Sequence, residues 1–415
     1  MPQNSVVKPH VVIIGAGLGG IACAISIKKQ LGFTNFITSL TAMAVKMYEK
    51  GAGYGGTWRE NTYPGSASDT PTHWYSLSTE LNPHWTAVMA PQPELLAYWQ
   101  GLAQKHKLHA NTVFHAHVVC ATWNDALREW ELVVEDVTTG ICTATTARAV
   151  VSATGILNEP FVPEIVGASI PPIHPVGHAK ASRLRGRYQP LQCRRPILDP
   201  GYLACLHQPN IELRWGEIKE IQEDGILMEG DVDVTPFDVV ILGTGFITGK
   251  YFVSVTGSNG QTLEEYHKGQ GGPSAYAGGV CVPGFPNYFF IGGPNTVTGN
   301  GSAVYTHECE VWSAAPSLYT FADQTQVNYI VQLLRPLLCP PSCALRAASL
   351  TVLPTAHAAY NERLQRAMAG PEYGGCPPSW FRVGGKNVSL WPWTHAWFWW
   401  VMRRVRWQDY ELQAE

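Results

Sequence analysis

The run Val11-Val12-Ile13-Ile14-Gly15-Ala16-Gly17-Leu18-Gly19-Gly20 constrains the fold more than any other stretch of the chain. Four aliphatic residues lead straight into a glycine, the pattern of a buried parallel strand. Gly15 permits a tight turn, Gly17 lets backbone approach a pyrophosphate, and Gly20 lets the following helix pack closely on the sheet. That helix reads on as IACAISIKKQL and stops near Gly32. Its free N–H groups and its dipole suit phosphate charge. A GxGxxG alone is a weak sign. Flanked by a strand and a helix, it predicts a dinucleotide site.

The next requirement is an acid at the end of the second strand. Val45-Lys46-Met47-Tyr48-Glu49 supplies one, and a carboxylate there accepts both hydroxyls of an adenosine ribose. It also repels a 2′-phosphate, which disfavours NADP at this first site. Glu49 stands 29 residues after Gly20, beyond the usual spacing of about 20. The excess falls in TNFITSLTAMAVK, which reads either as a surface loop or as translated intron.

At 415 residues the chain exceeds one ordinary core, so two lobes are expected. Its formal net charge of -3 shows no basic excess of the kind nucleic acid requires. The ten cysteines are scattered and form no paired metal-binding pattern. With no signal peptide recognised, reduced thiols and a cytoplasmic location are expected.

Glu49 runs into KGAGYGGTWRENTYPGSASDTPTHWYSLS. This segment resembles the class B flavin monooxygenases, and within them the Baeyer–Villiger type. The likeness leans to the branch of fungal secondary metabolism, with averufin-oxidase-like enzymes. The resemblance implies that Glu49 holds the FAD ribose and that Gly55, Gly56, Thr57 and Trp58 wrap the flavin. It also places Asp69, in the Tyr63-Pro64-Gly65 segment, beside the isoalloxazine, with Tyr75 a further cofactor contact. A flat Trp58 suits a planar ring system. A buried Asp69 would require a cation or hydrogen bonds.

Other segments continue the likeness. Gln92-Pro93-Glu94 opens a helix with proline in its first turn. Trp130–Glu135 reads as a strand. Ala149–Gly155 and Asp238–Phe246 each read as a strand running into a glycine turn. Phe285–Asn295 resembles the late strand whose turn approaches the flavin, and Gly301-Ser302 with Glu308 open the last helix of the FAD domain. Trp380-Phe381-Arg382 and Leu390-Trp391-Pro392 match the family's tail. A further amphipathic helix is predicted around 330–345, ended by two prolines.

The family normally carries a second GxGxxG domain, for NADPH, after the ATG segment at 153–155. No second fingerprint is found in this chain, and about 35 residues stand where a domain of roughly 100–200 is expected. The Phe-x-Gly, His and Trp fingerprint is absent as well, although His174 and His178 lie near its place. The expectation is therefore a missing NADPH domain, from a dropped exon, from decay, or from recruitment to another use. NADPH would bind only if a site formed regardless, and an external flavin reductant is a possible partner. In Cys193-Arg194-Arg195-Pro196, the resemblance makes Arg195 the arginine that stabilises the reduced, oxygen-carrying flavin. It would also offset the charge of Asp69.

The fold expected is α/β: a three-layer, Rossmann-type FAD/NAD(P)-binding fold of discontinuous segments, with a truncated insert and a helical C-terminal part. Residues 1–155 and 236–315 form the FAD domain, 156–235 a remnant, and 316–415 a helical, aromatic region over the substrate cleft. The resemblance implies FAD as cofactor, with O2 and a hydrophobic ketone or related polyketide or terpenoid as substrates. The alternatives are a redox-neutral cyclisation or rearrangement on bound FAD, and an inactive paralogue. THAWFWWVMRRVRW reads as tail packed over the cleft or as a weak contact with a membrane surface.

Overall fold

The computed structural model describes residues 9–31, 44–167, 201–248, 251–297, 325–338, 346–370 and 381–414. The chain divides into two compact units. The first comprises Met1–Ile156, Pro190–Arg195 and Tyr251–Glu415, and the second Leu157–Gln189 and Pro196–Lys250.

The first unit is built on a five-stranded parallel sheet. Its strands are β1 (Pro9–Ile14), β2 (Ala44–Tyr48), β3 (Thr112–Val113), β7 (Ala149–Ser152) and β12 (Tyr288–Phe290). They lie in the order β12-β7-β1-β2-β3. Side chains alternate along β1, as the period of a strand requires. Val11 and Ile13 enter one apolar core and Val12 and Ile14 the other, all at most 5% exposed.

Helices cover the Val11–Ile13 face. They are α1 (Leu18–Gln30), α3 (Gln92–Lys105) and α6 (Thr325–Leu338), bringing Ile21, Ile25, Leu95, Trp99, Ile330 and Leu334 into that core. Burial of each such side chain contributes about 1.5–3 kcal/mol. The other face meets a four-stranded sheet of order β11-β4-β5-β6. Its strands are β4 (Ala116–Asn124), β5 (Glu129–Asp136), β6 (Cys142–Ala147) and β11 (Ser254–Thr256). Trp130 is fully buried between the sheets, and its indole N–H donates to the Pro286 carbonyl at 2.8 Å. The fold is thus a three-layer α/β arrangement assembled from discontinuous segments, as the sequence leads one to expect.

Short elements complete this unit: α2 (Thr57–Glu60), α5 (Leu263–Gly269), α7 (Pro354–Ala367) and α8 (His395–Met402) among the helices, β13 (Ser349–Val352) paired antiparallel with β16 (Tyr410–Gln413), and the small ladder of β14 (Arg382–Val383) with β15 (Lys386–Asn387). Asn287 joins these parts. It is 1% exposed, and its amide donates to the carbonyls of Arg148 and Ala348 while accepting from Leu350 N. The predicted helix near 330 is α6, and its two following prolines lie outside the described residues.

The described part of the second unit holds a three-stranded antiparallel meander and a short helix. The strands are β8 (Ile218–Gln222), β9 (Gly225–Met228) and β10 (Thr235–Pro236), and the helix is α4 (Tyr202–Cys205). The strand expected at Asp238–Phe246 does not form. Only its end is held: Phe161 N donates to Gly245 O and Ile247 N to Glu159 O. An aliphatic run becomes a strand only where a neighbour supplies a ladder and a packing face. Val239 and Ile241 are instead 69% and 70% exposed.

Candidate dinucleotide site

The C-terminal ends of β12, β7, β1 and β2 lie side by side, and each leads into a turn or an acid. The main chain binds the ends together. Gly15 N donates to Tyr48 O at 2.8 Å, Ala153 N to Ile14 O at 2.8 Å, and Ile291 N to Ser152 O at 2.9 Å. From β1 the chain crosses through α1 to β2 on one side, while β7 stands on the other. That is a topological switch point, where open parallel sheets bind their ligands.

Gly15 and Gly20 of the fingerprint each meet a steric demand. Gly15 has φ +101°, and a Cβ there would lie 2.6 Å from the Ala153 carbonyl oxygen. At Gly20 a Cβ would lie 1.9 Å from Gly15 O, so α1 packs directly on the turn. Gly17 faces Gly56 of the GGTW turn: a Cβ on Gly56 would come within 2.8 Å of Gly17 Cα. Gly55 N also donates to Ala16 O at 3.1 Å. Two glycine turns 39 positions apart, at Gly17 and Gly56, therefore form one bare backbone surface.

Glu49 closes this cradle. Its Oε2 accepts from Ala16 N at 2.6 Å and its Oε1 from Gly51 N at 2.7 Å. A carboxylate has about four acceptor sites, so both oxygens retain capacity for the hydroxyls of a ribose. Arg59, which the motif reading passes over, ends here too. A Cβ on Gly51 would lie 2.6 Å from Arg59 Nη1 and 3.1 Å from Glu49 Oε1. Arg59 also pairs with Glu60.

Gly56 precedes α2, which begins at Thr57, and Asn61 Nδ2 donates to the Thr57 carbonyl at 2.9 Å. Trp58 is 9% exposed, with its indole N–H directed to the Tyr75 hydroxyl at 3.1 Å. The two rings meet edge to face at 5.6 Å. Gln92 donates its amide to the Trp58 carbonyl and so anchors the turn to α3. Asp69 is exposed, in a segment tied back to the chain through the bridge Ala67–Pro91. Arg195 lies outside the described residues. The described structure thus gathers Gly15, Gly17, Gly20, Glu49, Gly56, Thr57, Trp58 and Tyr75 around one sheet edge.

Gln326 is a second residue that sequence reasoning misses. It is fully buried, donates to Gly278 O at 2.6 Å and accepts from Gly292 N at 3.2 Å. It fixes the turn after β12 from α6. A lone glutamine within a helix carries no spacing that would reveal this.

The cradle fits a flavin dinucleotide: glycines where a side chain would block a pyrophosphate, an oriented carboxylate where a ribose would lie, and aromatic rings beyond. The family model for an NAD(P)-binding Rossmann-like domain matches residues 13–91. Among curated relatives, a Baeyer–Villiger monooxygenase of Streptomyces coelicolor is 26% identical over 99% of this chain and 94% of its own length. The FAD-binding monooxygenase ktnD of Aspergillus niger is 23% identical over 98% of this chain and 82% of its own length. A steroid monooxygenase bound to NADP superposes with a TM-score of 0.76 at 17% identity, covering 98% of this chain and 100% of that one. OTEMO in complex with FAD and NADP gives 0.74 at 16%, with the same coverage.

These findings correct the expectation of a missing NADPH domain. The likeness to NADP-bound structures runs through nearly the whole chain, and a Rossmann-like NAD(P)-binding domain is present at residues 13–91. The region after the ATG turn is a compact unit of its own. The expectation rested on one glycine motif, whereas these likenesses extend over nearly the whole chain. These likenesses give no support to an external flavin reductant as partner. The chain has the three-layer, discontinuous Rossmann-type fold of the steroid and cyclohexanone monooxygenase structures, with helical segments toward its C-terminus.

Proposed function

We propose that the chain is an FAD-dependent monooxygenase of Baeyer–Villiger type, using NADPH and O2 to insert one oxygen atom next to the carbonyl of a hydrophobic ketone. The observation that carries this reading is the pairing of the Gly15–Gly17 turn with the Gly55–Gly56 turn over the Glu49 carboxylate. The names of the relatives, and the extent of the match to them, support the reaction class.

When bound, the flavin would supply acceptance of electrons from NADPH and activation of O2. The chain's own residues hold and orient it. The backbone of Gly15 and Gly17 would receive the pyrophosphate, and Glu49 would accept the ribose hydroxyls. Trp58 and Tyr75 would form a rigid wall of the flavin site. We assign Asp69 and Arg195 to the ring itself, the arginine favouring negative charge that develops there. For the substrate we take a polyketide or terpenoid ketone. The segment leaving the turn after β12 runs beside an aromatic tail, since Trp391 N donates to Val297 O at 2.8 Å and Trp391 packs on Trp393 and Phe398. Such a tail suits an apolar substrate.

The test is turnover. NADPH oxidation and O2 uptake should rise together on adding a cyclic or aryl ketone, with an ester or lactone one oxygen heavier as product. Bound FAD that NADPH leaves oxidised would sink the proposal.

A further inference from the structure

The last helix presents a surface that the flavin site does not use. Thr394 caps α8, accepting from Trp397 N at 3.2 Å, and Phe398 and Met402 point into the core. On the outer side Trp397 is 42% and Trp400 51% exposed. Positions 397 and 400 are spaced i, i+3, so the two indoles share one stripe of α8, and Arg403 and Arg404 follow directly after its last residue. Arg403 lies 3.1 Å over the Trp400 ring and donates to the Trp400 carbonyl. Beyond them Trp407 is 44% exposed. Arg403, Arg404 and Arg406 follow without an acid until Asp409, which pairs with Arg406.

Beside this stripe opens a cleft of about 280 Å³ between α1, α6 and α8, all within the first unit. Gln30, Asn328, Gln332, Trp399, Arg403 and Arg404 contribute to its wall, and no carboxylate does among the described residues. The Trp399 indole N–H is buried and has no hydrogen-bond partner among the described residues. The two guanidinium groups, with no carboxylate beside them among the described residues, suit an anion with several oxygens, while the Gln30 and Gln332 amides are engaged with Asn328 and Arg403. Half-exposed indoles next to arginines form the combination that sits at the headgroup level of a bilayer.

We propose that the Trp397–Trp400 face of α8 docks on an anionic phospholipid surface, with one headgroup phosphate received in the adjoining cleft by Arg403 and Arg404. The contact is peripheral: among the described residues, no helix is long and apolar enough to cross a membrane. It would place the protein where a hydrophobic substrate concentrates.

The experiment is co-sedimentation of the full chain with phosphatidylcholine vesicles, with and without roughly one third phosphatidylserine, at low and high salt. The expected result is retention by the anionic vesicles that weakens with salt. Retention should fall about tenfold or more in Trp397→Ser/Trp400→Ser and in Arg403→Gln/Arg404→Gln. Far-UV circular dichroism and the thermal midpoint report whether each variant is folded. A wild-type chain that stays in solution with anionic vesicles at low salt overturns the proposal. So does equal retention by neutral vesicles, or retention unchanged in both folded variants. A dimer that is lost in the tryptophan variant, without lipid retention, would assign the face to a second copy instead.

Discussion

Individual residues divide the glycine fingerprint into two kinds of requirement. Gly17 has φ −76°, open to any residue, and a Cβ there would meet Gly56 Cα at 3.4 Å, an ordinary contact. Gly17→Ala should therefore fold with a nearly unchanged thermal midpoint, yet bind FAD at least about tenfold more weakly, or about 1.4 kcal/mol. Gly20→Ala should behave differently, since its methyl would overlap the Gly15 carbonyl. We expect a loss of about 1–3 kcal/mol or more, with little soluble protein. Melting curves of both variants with added FAD, alongside flavin titration, separate the two roles. Equal behaviour of the two would contradict the assignment. The proposed positions of Asp69 and Arg195 have their own test. Arg195→Ala should lower the flavin's reduction potential while FAD affinity stays near wild type, because the proposed ribose and pyrophosphate contacts lie at Glu49 and Gly15–Gly17. An unchanged potential would put Arg195 away from the ring. The fingerprint was readable because covalent geometry leaves few residue types possible at such turns. Arg59 and Gln326 were not, because their positions come from tertiary packing that no spacing encodes.

At the level of elements, one ionic cluster ties the helical layer together. Glu80 has a side chain only 4% exposed. It meets Lys29 of α1 at 2.7 Å, Lys105 of α3 at 2.6 Å and His106 at 2.8 Å. Burial pushes its carboxyl up, but hydrogen bonds from Lys105, Lys29 and His106 outweigh this and hold it near pH 2. His106 is lowered, chiefly by burial, so below the usual histidine range of about 6.5 folding also resists its protonation. Both shifts have the same sign. The folded state binds fewer protons than the unfolded state, so stability is full above about pH 6.5 and falls as pH drops, most steeply from about 4.5 towards 2. Glu80→Gln should flatten that acid limb, and should also lower stability at pH 7 by leaving two lysines without their partner. Urea midpoints from pH 7 down to 3 would show it. Parallel pH profiles for wild type and variant would refute the assignment. The main strands were legible at this scale, since β1, β2, β5, β7 and β12 all form where alternation or an aliphatic run marks them. Asp238–Phe246 was misread because the same pattern lacks a neighbouring strand in the folded chain.

For the whole molecule, sequence reasoning recovered the three-layer Rossmann-type architecture and erred in expecting a domain of that fold to be missing. Local motifs mark a site well and a domain poorly, because a compact unit is defined by contacts among distant residues. The second unit, from Leu157 to Lys250 with a gap at 190–195, is such a case. The central claim remains that one dinucleotide, FAD, binds where the turns after β1, β7 and β12 meet Glu49. The most direct measurement is chromatographic identification of the nucleotide released by heat from the purified chain, with its molar ratio to protein and its visible spectrum before release. We predict FAD close to one per chain, and much less in folded Gly17→Ala. A soluble, folded wild-type chain that carries no FAD and takes up none when it is added would contradict the account.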